Sequence, residues 1–273
     1  MAVALLAVTT SNAAAQRKDR GQRYLGFDRN DYPGDAALPA LRKTFAYTSY
    51  WLNTPPGATH NTWTGKRALL RRQGFGFLVL FNGRLDAELR GKDAAALGRA
   101  DGEQAIATAA REGFPKHLRI FLDQEEGGRL LPEQAAYVLA WIVAVQARGA
   151  RAGVYCSGID VPDGRGTIST ARDLAQRLGA RQNAVALWVA NDVCPPSPGC
   201  AIKPPELPAR LSSLPAAIVS VWQYAQSPRR QFSAACPQNQ ASDGNCYAPG
   251  LPHGPNSFVD LNVAQSPDPS QAR

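Results

Sequence analysis

The sequence predicts an α/β fold: a single (β/α)8 TIM-type barrel with irregular or missing helices late in the chain. Three observations lead there. Eight short apolar runs recur between Tyr24 and Val263 and alternate with helical or loop-like stretches. Several runs, such as Phe75–Phe81, are apolar throughout, as parallel strands covered on both faces should be. Acids and amides stand at the ends of the runs, where a barrel gathers its functional groups. An open doubly wound sheet is the fallback. It calls for a Gly-rich first turn, and Gly26-Phe27-Asp28-Arg29-Asn30 lacks that spacing.

In chain order, Tyr24–Asp28 reads as a first strand and Ala36–Arg42 as a short helix. Phe45–Trp51 is the second strand, followed by a Pro/Gly/Asn/Thr loop at Asn53–Thr62 and a helix at Trp63–Gln73. After the third strand, Phe75–Phe81, comes a polar loop. Ala100–Gly113 is then an Ala-rich helix with Asp101 near its start and Gly113 at its stop. Leu118–Glu125 is the fourth strand. Pro132–Gly149 is the clearest helix, with Pro at its start and Gly at its end. Its residues Tyr137, Val138, Trp141, Ile142 and Val145 recur at three- and four-residue spacing. Ala152–Cys156 is the fifth strand, and Ser169–Leu178 a helix capped by Ser169 or Thr170. Val185–Ala190 is the sixth, leading to a proline-rich loop and a weak helix to Ser213. Ile218–Tyr224 is the seventh and Phe258–Val263 the eighth. Residues 16–264 thus form one domain, and the polar tail 265–273 is expected to fray.

Hydrophobic residues at 44% argue against disorder. Thirty Lys and Arg against twenty-two Asp and Glu give a net charge of +8, which favours an anionic partner. The basic residues are scattered rather than interleaved with aromatics, which argues against nucleic acid. No stretch reaches the roughly 20 apolar residues of a membrane helix. Ala2–Val8 is a short apolar core, and Ala13 and Ala15 suit cleavage before Gln16. Residues 1–15 are therefore expected to be a signal peptide, and the protein secreted or periplasmic. Cysteine usage agrees. Cys194 and Cys200 bracket one polar loop and Cys236 and Cys246 another, so each pair reads as a local disulfide, with Cys156 a buried free thiol. A zinc site fails for want of C-x-x-C spacing and of clustered histidines, and no other metal or cofactor is expected.

The chemistry centres on Arg119–Gly128, where Ile120-Phe121-Leu122 is followed by Asp123, Glu125 and Glu126. Side chains two apart on a strand share a face, so Asp123 and Glu125 project together. Two such acids cannot both ionise cheaply, and one pKa rises. A proton donor beside a carboxylate is what glycoside hydrolysis requires. The bland alternative is a helix-capping Asp followed by surface glutamates in a turn. Beyond this pair, Asp28 ends the first strand, Asn191 the sixth, Gln223 and Tyr224 the seventh, and Asp260 and Asn262 the eighth. Tyr155, Trp188, Trp222 and Tyr224 could stack on sugar faces or simply pack the core, and Trp51 and Trp63 flank the second loop.

The ordered series Tyr24-Leu-Gly-Phe-Asp28, Phe121-Leu-Asp-Gln-Glu125, Gly153-Val-Tyr-Cys156, Leu187-Trp-Val-Ala190, Val221-Trp-Gln-Tyr224 and Phe258-Val-Asp-Leu-Asn262 resembles family 25 glycoside hydrolases, the lysozyme-type muramidases. The chain resembles more closely still the related glycoside hydrolase-like domain of the Rv2525c-like group, over residues 22–265. The resemblance implies a glycosidase acting on peptidoglycan or a related cell-wall amino-sugar polysaccharide. Glu125 would protonate the glycosidic oxygen. Asp123 and Asp28 would orient the N-acetyl group or stabilise an oxocarbenium-like transition state, and Asp260 would complete an acidic floor. Tyr155, Trp188, Asn191, Gln223, Tyr224 and Asn262 are the expected substrate contacts. Glu126, adjacent to Glu125, leaves the donor open between the two. A barrel that binds wall glycan without cleaving it is the alternative reading.

Overall fold

The computed structural model describes residues 22–192, 198–207, 211, 214, 218–229, 240–254 and 257–273. The signal-peptide expectation, Cys194, Cys236 and most of the weak helix before Ser213 lie outside the described residues. Strand β1 (Tyr24–Asp28) leads through α1 (Leu38–Thr44) to β2 (Tyr47–Trp51), α2 (Arg67–Arg72) and β3 (Gly76–Asn82). Helices α3 (Asp86–Leu89) and α4 (Ala94–Arg111) precede β4 (Arg119–Gln124), and α5 (Pro132–Ala147) precedes β5 (Arg151–Ser157). A hairpin, β6 (Val161–Asp163) with β7 (Gly166–Ile168), and α6 (Thr170–Leu178) lead to β8 (Val185–Ala190). The last strands are β9 (Val219–Ala225) and β10 (Asp260–Ala264). The eight longer strands close in the order β1-β10-β9-β8-β5-β4-β3-β2.

The direction of one strand departs from a plain (β/α)8 barrel. β10 runs antiparallel to both β1 and β9, while the other neighbours are parallel. Being antiparallel to β9, β10 begins at the end of the barrel where the other strands finish. Asp260 pairs with Asp28 and Asn262 with Gly26. The amino end of β10 thus does what the carboxyl ends of its neighbours do. Among the described residues, no α-helix of more than one turn follows β8.

Helix α4 starts earlier than the Ala-rich run suggests, because Asp93 accepts a hydrogen bond from the Ala96 amide at 2.8 Å and caps it. It packs closely on α5: a Cβ at Gly98 would lie 2.2 Å from the Tyr137 carbonyl oxygen. Asp101, 5% exposed, accepts two bonds from Arg84 (2.6 and 2.9 Å) and one from the Tyr137 hydroxyl (2.8 Å). This triad holds the turn after β3 against both helices, and its charges are paired as burial requires.

Two expectations are corrected. Cys200 is joined to Cys246, so neither local loop pairing holds. The bond instead ties the loop after β8 to the loop after β9, two segments that flank neighbouring strands. Residues 265–273 are not frayed. Ser270 and Ala272 are fully buried, and the segment lies across the amino ends of β3 and β4. Ser270 Oγ accepts from the Val79 amide (2.8 Å), and the Ser270 carbonyl accepts from the Arg119 amide (2.7 Å). Asp268 accepts from the amides of Phe77 (2.9 Å), Ala272 (3.0 Å) and Arg273 (3.1 Å). The Phe77, Val79 and Arg119 amides are backbone donors that the barrel strands leave without partners. Asp268→Ala is therefore expected to destabilise the fold by about 2 kcal/mol, read as a lowered urea midpoint with an unchanged m-value.

Candidate active site

At the mouth lies a cavity of about 440 Å³ lined by Asp28, Asp123, Glu125, Tyr155, Trp188, Gln223 and Asp260, with Trp51 and Arg29 beside them. Strand alternation delivers them. On β4, Phe121 and Asp123 face inward. On β5, Gly153 and Tyr155 do, and a Cβ at Gly153 would collide with the Phe121 ring. Trp188 packs edge-on against Phe121 and Tyr155, forming an aromatic floor beneath the acids.

Above this floor a neutral amide joins two carboxylates. Gln223 Nε2 donates to both oxygens of Asp28 (2.9 and 3.1 Å) and to Asp260 Oδ2 (3.3 Å). Gln223 Oε1 accepts from the Tyr155 hydroxyl and from Gln226 Nε2, each at 2.9 Å, which fixes the amide's orientation. Asn262 Nδ2 donates to Asp28 Oδ1 at 2.5 Å, and Asn262 Oδ1 accepts from Trp188 Nε1 at 2.8 Å. Asp260 Oδ1 accepts from the Ser227 amide at 2.5 Å. Arg29 lies over the Phe258 ring, 5.2 Å from its centroid, and burial lowers its pKa against the opposing charges of Asp31 and Asp260.

Asp123 is only 3% exposed, and neither carboxyl oxygen has a hydrogen-bond partner. Burial first, then the charges of Glu125 and Asp28, raises its pKa well above the ordinary value. Burial also pushes Asp28 up to about 6, against the pull of its bonds from Asn262 and Gln223. Burial and neighbouring charge thus push both carboxyls toward the protonated form, Asp28 to about 6. Glu125, just beyond β4, is exposed. It also borders, with Asp123, a second cavity of about 330 Å³ lined by Asn82, Arg84, Leu85 and Glu88. The two acids stand where the two cavities meet.

Glu126 is engaged elsewhere. Its Oε2 accepts from the Asp86 amide at the start of α3 (2.7 Å) and from Gln134 Nε2 of α5 (2.5 Å). It anchors the loop that carries Glu125.

Of the expected residues, Asp28, Asp123, Glu125, Asp260, Tyr155, Trp188 and Gln223 line one cavity. Asn262 is fully buried beneath Asp28 and supports it. Tyr224 is not at the site. Adjacent to inward-facing Gln223, it points outward and donates to the Ala201 carbonyl at 2.5 Å. Asn191 is likewise turned away, donating to the Gly158 carbonyl at 3.0 Å, and Trp222 donates to the Asn191 carbonyl at 2.8 Å. Trp51 borders the cavity, whereas Trp63 is buried in the core. Sequence reasoning missed Arg29, Asn30 and Asp31, although the strand-end rule that singled out Asp28 extends to them. It also missed Gln226, Ser227 and Pro228, in the aperiodic stretch after the seventh strand, and Phe258, read only as the start of the eighth. Among the described residues no group of three or more His, Cys, Asp or Glu is set to hold a metal ion. No described helix is long and apolar enough to cross a membrane.

A closed eight-stranded barrel with acids from its first, fourth and last strands at one mouth has the architecture of a glycoside hydrolase-like domain. Residues 50–192 match the model of the Rv2525c-like, glycoside hydrolase-like domain, and the chain belongs to that family. No curated protein matches it. In structure it is similar to an uncharacterised protein of B. stearothermophilus, with 18% identity over 88% of this chain and 95% of that one, at a TM-score of 0.59. It is also similar to the Mycobacterium tuberculosis Tat-secreted protein Rv2525c in complex with L-tartrate, with 12% identity over 88% and 93% and a TM-score of 0.51. A family 25 glycosyl hydrolase from Bacillus anthracis aligns at 13% identity over 89% of each chain, with a TM-score of 0.48. At such identities the likeness concerns the fold.

The upward shifts of Asp123 and Asp28 have a stability consequence. The folded state binds their protons more tightly than the unfolded chain does. Their contribution is full in acid and is lost as pH rises through the folded values. Asp123→Asn removes the titrating group while keeping its shape. Its melting temperature is expected to exceed that of the wild type at pH 8 by on the order of 3 °C, with the gain shrinking toward pH 4. A calorimetric series over that range measures it.

Proposed function

We propose that the chain is an exported glycoside hydrolase that cleaves peptidoglycan or a related amino-sugar polymer, with Glu125 as general acid. The observation that carries this reading is the pairing of one exposed acid, Glu125, with two buried carboxyls, Asp123 and Asp28, at the junction of two cavities. Glycosidic cleavage needs a donor that reaches the bridging oxygen and a group that meets positive charge developing at the sugar carbon. Glu125 reaches the groove and protonates the leaving oxygen. Asp28, fixed by Gln223 and Asn262, presents a carboxylate to the acetamido N–H or to the oxocarbenium-like centre. Asp123, kept neutral by burial, donates a hydrogen bond rather than adding a second charge. Tyr155 and Trp188 form the packed floor beneath the acids and hold the Gln223 and Asn262 amides in place. Asp260 holds the far end of the Gln223 bridge. Glu126 is bound into the loop, which favours Glu125 as the donor.

Export rests on separate support. The Cys200–Cys246 bond suits an oxidising compartment, and Met1–Ala15 has the pattern of a cleaved leader.

Purified protein is expected to release reducing sugar from peptidoglycan. Glu125→Gln should lower kcat by roughly 10² to 10⁴ with an unchanged melting temperature. With Asp28 near 6, its carboxylate forms as pH rises through that value, so kcat/KM should climb between pH 5 and 7. Asp28→Asn should erase that limb. Glycan binding by the wild type without product release between pH 5 and 8 would instead identify a non-catalytic wall-binding barrel.

A further inference from the structure

The net charge of +8 is not explained by the acidic mouth. Part of it is gathered at the opposite end of the barrel. There the segment 267–273 gathers arginines from elements far apart in sequence. Arg42 and Arg273 both donate to the Gly74 carbonyl (3.1 and 3.0 Å). Arg67 donates to the Ala272 carbonyl and Arg119 to the Pro269 carbonyl, each at 3.2 Å. Arg151 bonds Gln271. Arg71, on the exposed face of α2, is close enough to Arg67 to depress its pKa, as Arg151 does for Arg119; in both cases burial contributes more.

These six guanidinium groups make no ion pair among the described residues. Two nearby acids, Asp268 and Glu112, offset part of the charge on Arg67 without pairing directly with any of the six. Glu112 accepts from the Tyr50 hydroxyl and the Gly65 amide, and Asp268 from three backbone amides. Helix dipoles offset part of the charge, since Arg42 and Arg71 sit in last turns. They do nothing for Arg119 and Arg151 at strand starts, or for Arg273. Six like charges held together with only two nearby carboxylates raise the free energy of the folded protein, and an anion spanning them lowers that cost.

We propose that this arginine-bearing base is a binding surface for a linear phosphate-bearing polymer, independent of the reaction at the mouth. Guanidinium groups suit phosphate because their planar forks donate two parallel bonds. A hydrated polymer fits better than a lipid surface. The large exposed apolar side chains among the described residues are Leu85, Leu131 and Val143, and none belongs to the base. A polymer held there leaves the mouth free to engage a second chain.

Long-chain inorganic polyphosphate is the probe, with binding followed by anisotropy of labelled polymer at 50 and 300 mM salt. The full chain should bind at low salt and weaken at least tenfold at high salt. Arg71→Glu/Arg151→Glu should lose at least tenfold in affinity and Arg71→Gln/Arg151→Gln several-fold, with glycan cleavage or binding at the mouth unaltered. Arg165→Glu, a charge reversal on the hairpin beyond the carboxyl end of β5, serves as control and should change affinity less than twofold. Equal losses in the control and the base variants would reduce the effect to net charge and overturn the assignment. So would absence of wild-type binding. Tighter binding to vesicles containing 30% phosphatidylglycerol, or to a single-stranded DNA oligomer, would overturn the choice of polymer.

Discussion

The bridge made by the Gln223 amide is the interaction on which the site depends. It lies where the first and last strands meet, and its Nε2 reaches Asp28 and Asp260 together. Two carboxylates brought this close by strand pairing repel, and an uncharged donor between them makes the register tolerable. The bridge works only in one orientation, and Tyr155 and Gln226 enforce it by occupying the carbonyl. Barrel closure, the state of Asp28 and the placement of the aromatic floor are consequently one problem with one solution. Asn262 completes it by linking Asp28 to Trp188.

Electrostatics divides the molecule along the barrel axis. Helices that return between parallel strands point their amino ends at the mouth and their carboxyl ends at the base. Acids such as Asp86, Asp93 and Asp173 accordingly gather near helix starts, and arginines near helix ends. The formal charge conceals this polarity. An acidic groove and a basic base coexist.

Much of this was legible in the sequence, for identifiable reasons. Continuous apolar runs ending in acids revealed the strands, and the strand-end acids Asp28, Asp123 and Asp260 come together at one cavity. Strand alternation excludes Tyr224, since neighbours on a strand cannot share a face with Gln223. Asn191 fails likewise, one residue past inward-facing Ala190. The direction of β10 was invisible, because a two-residue period reads identically both ways. Disulfide pairing was misread because proximity in sequence says little about which loops meet in space. The polar composition of Ser266–Arg273 suggested fraying, whereas its serine and aspartate serve as acceptors for strand amides that only a folded barrel presents.

The reversal of the final strand gives the end of the chain a measuring role. From Phe258 at the rim, through Asp260 and Asn262 at the floor, to Ser270 at the base, one unbroken stretch touches every level of the barrel. A single-residue insertion between Asn262 and Ser270 would force a choice: either Asp260 and Asn262 turn to the outer face, or Ser270 leaves its partners. The stretch therefore acts as a ruler, and length here is under tighter constraint than the identity of most of its side chains.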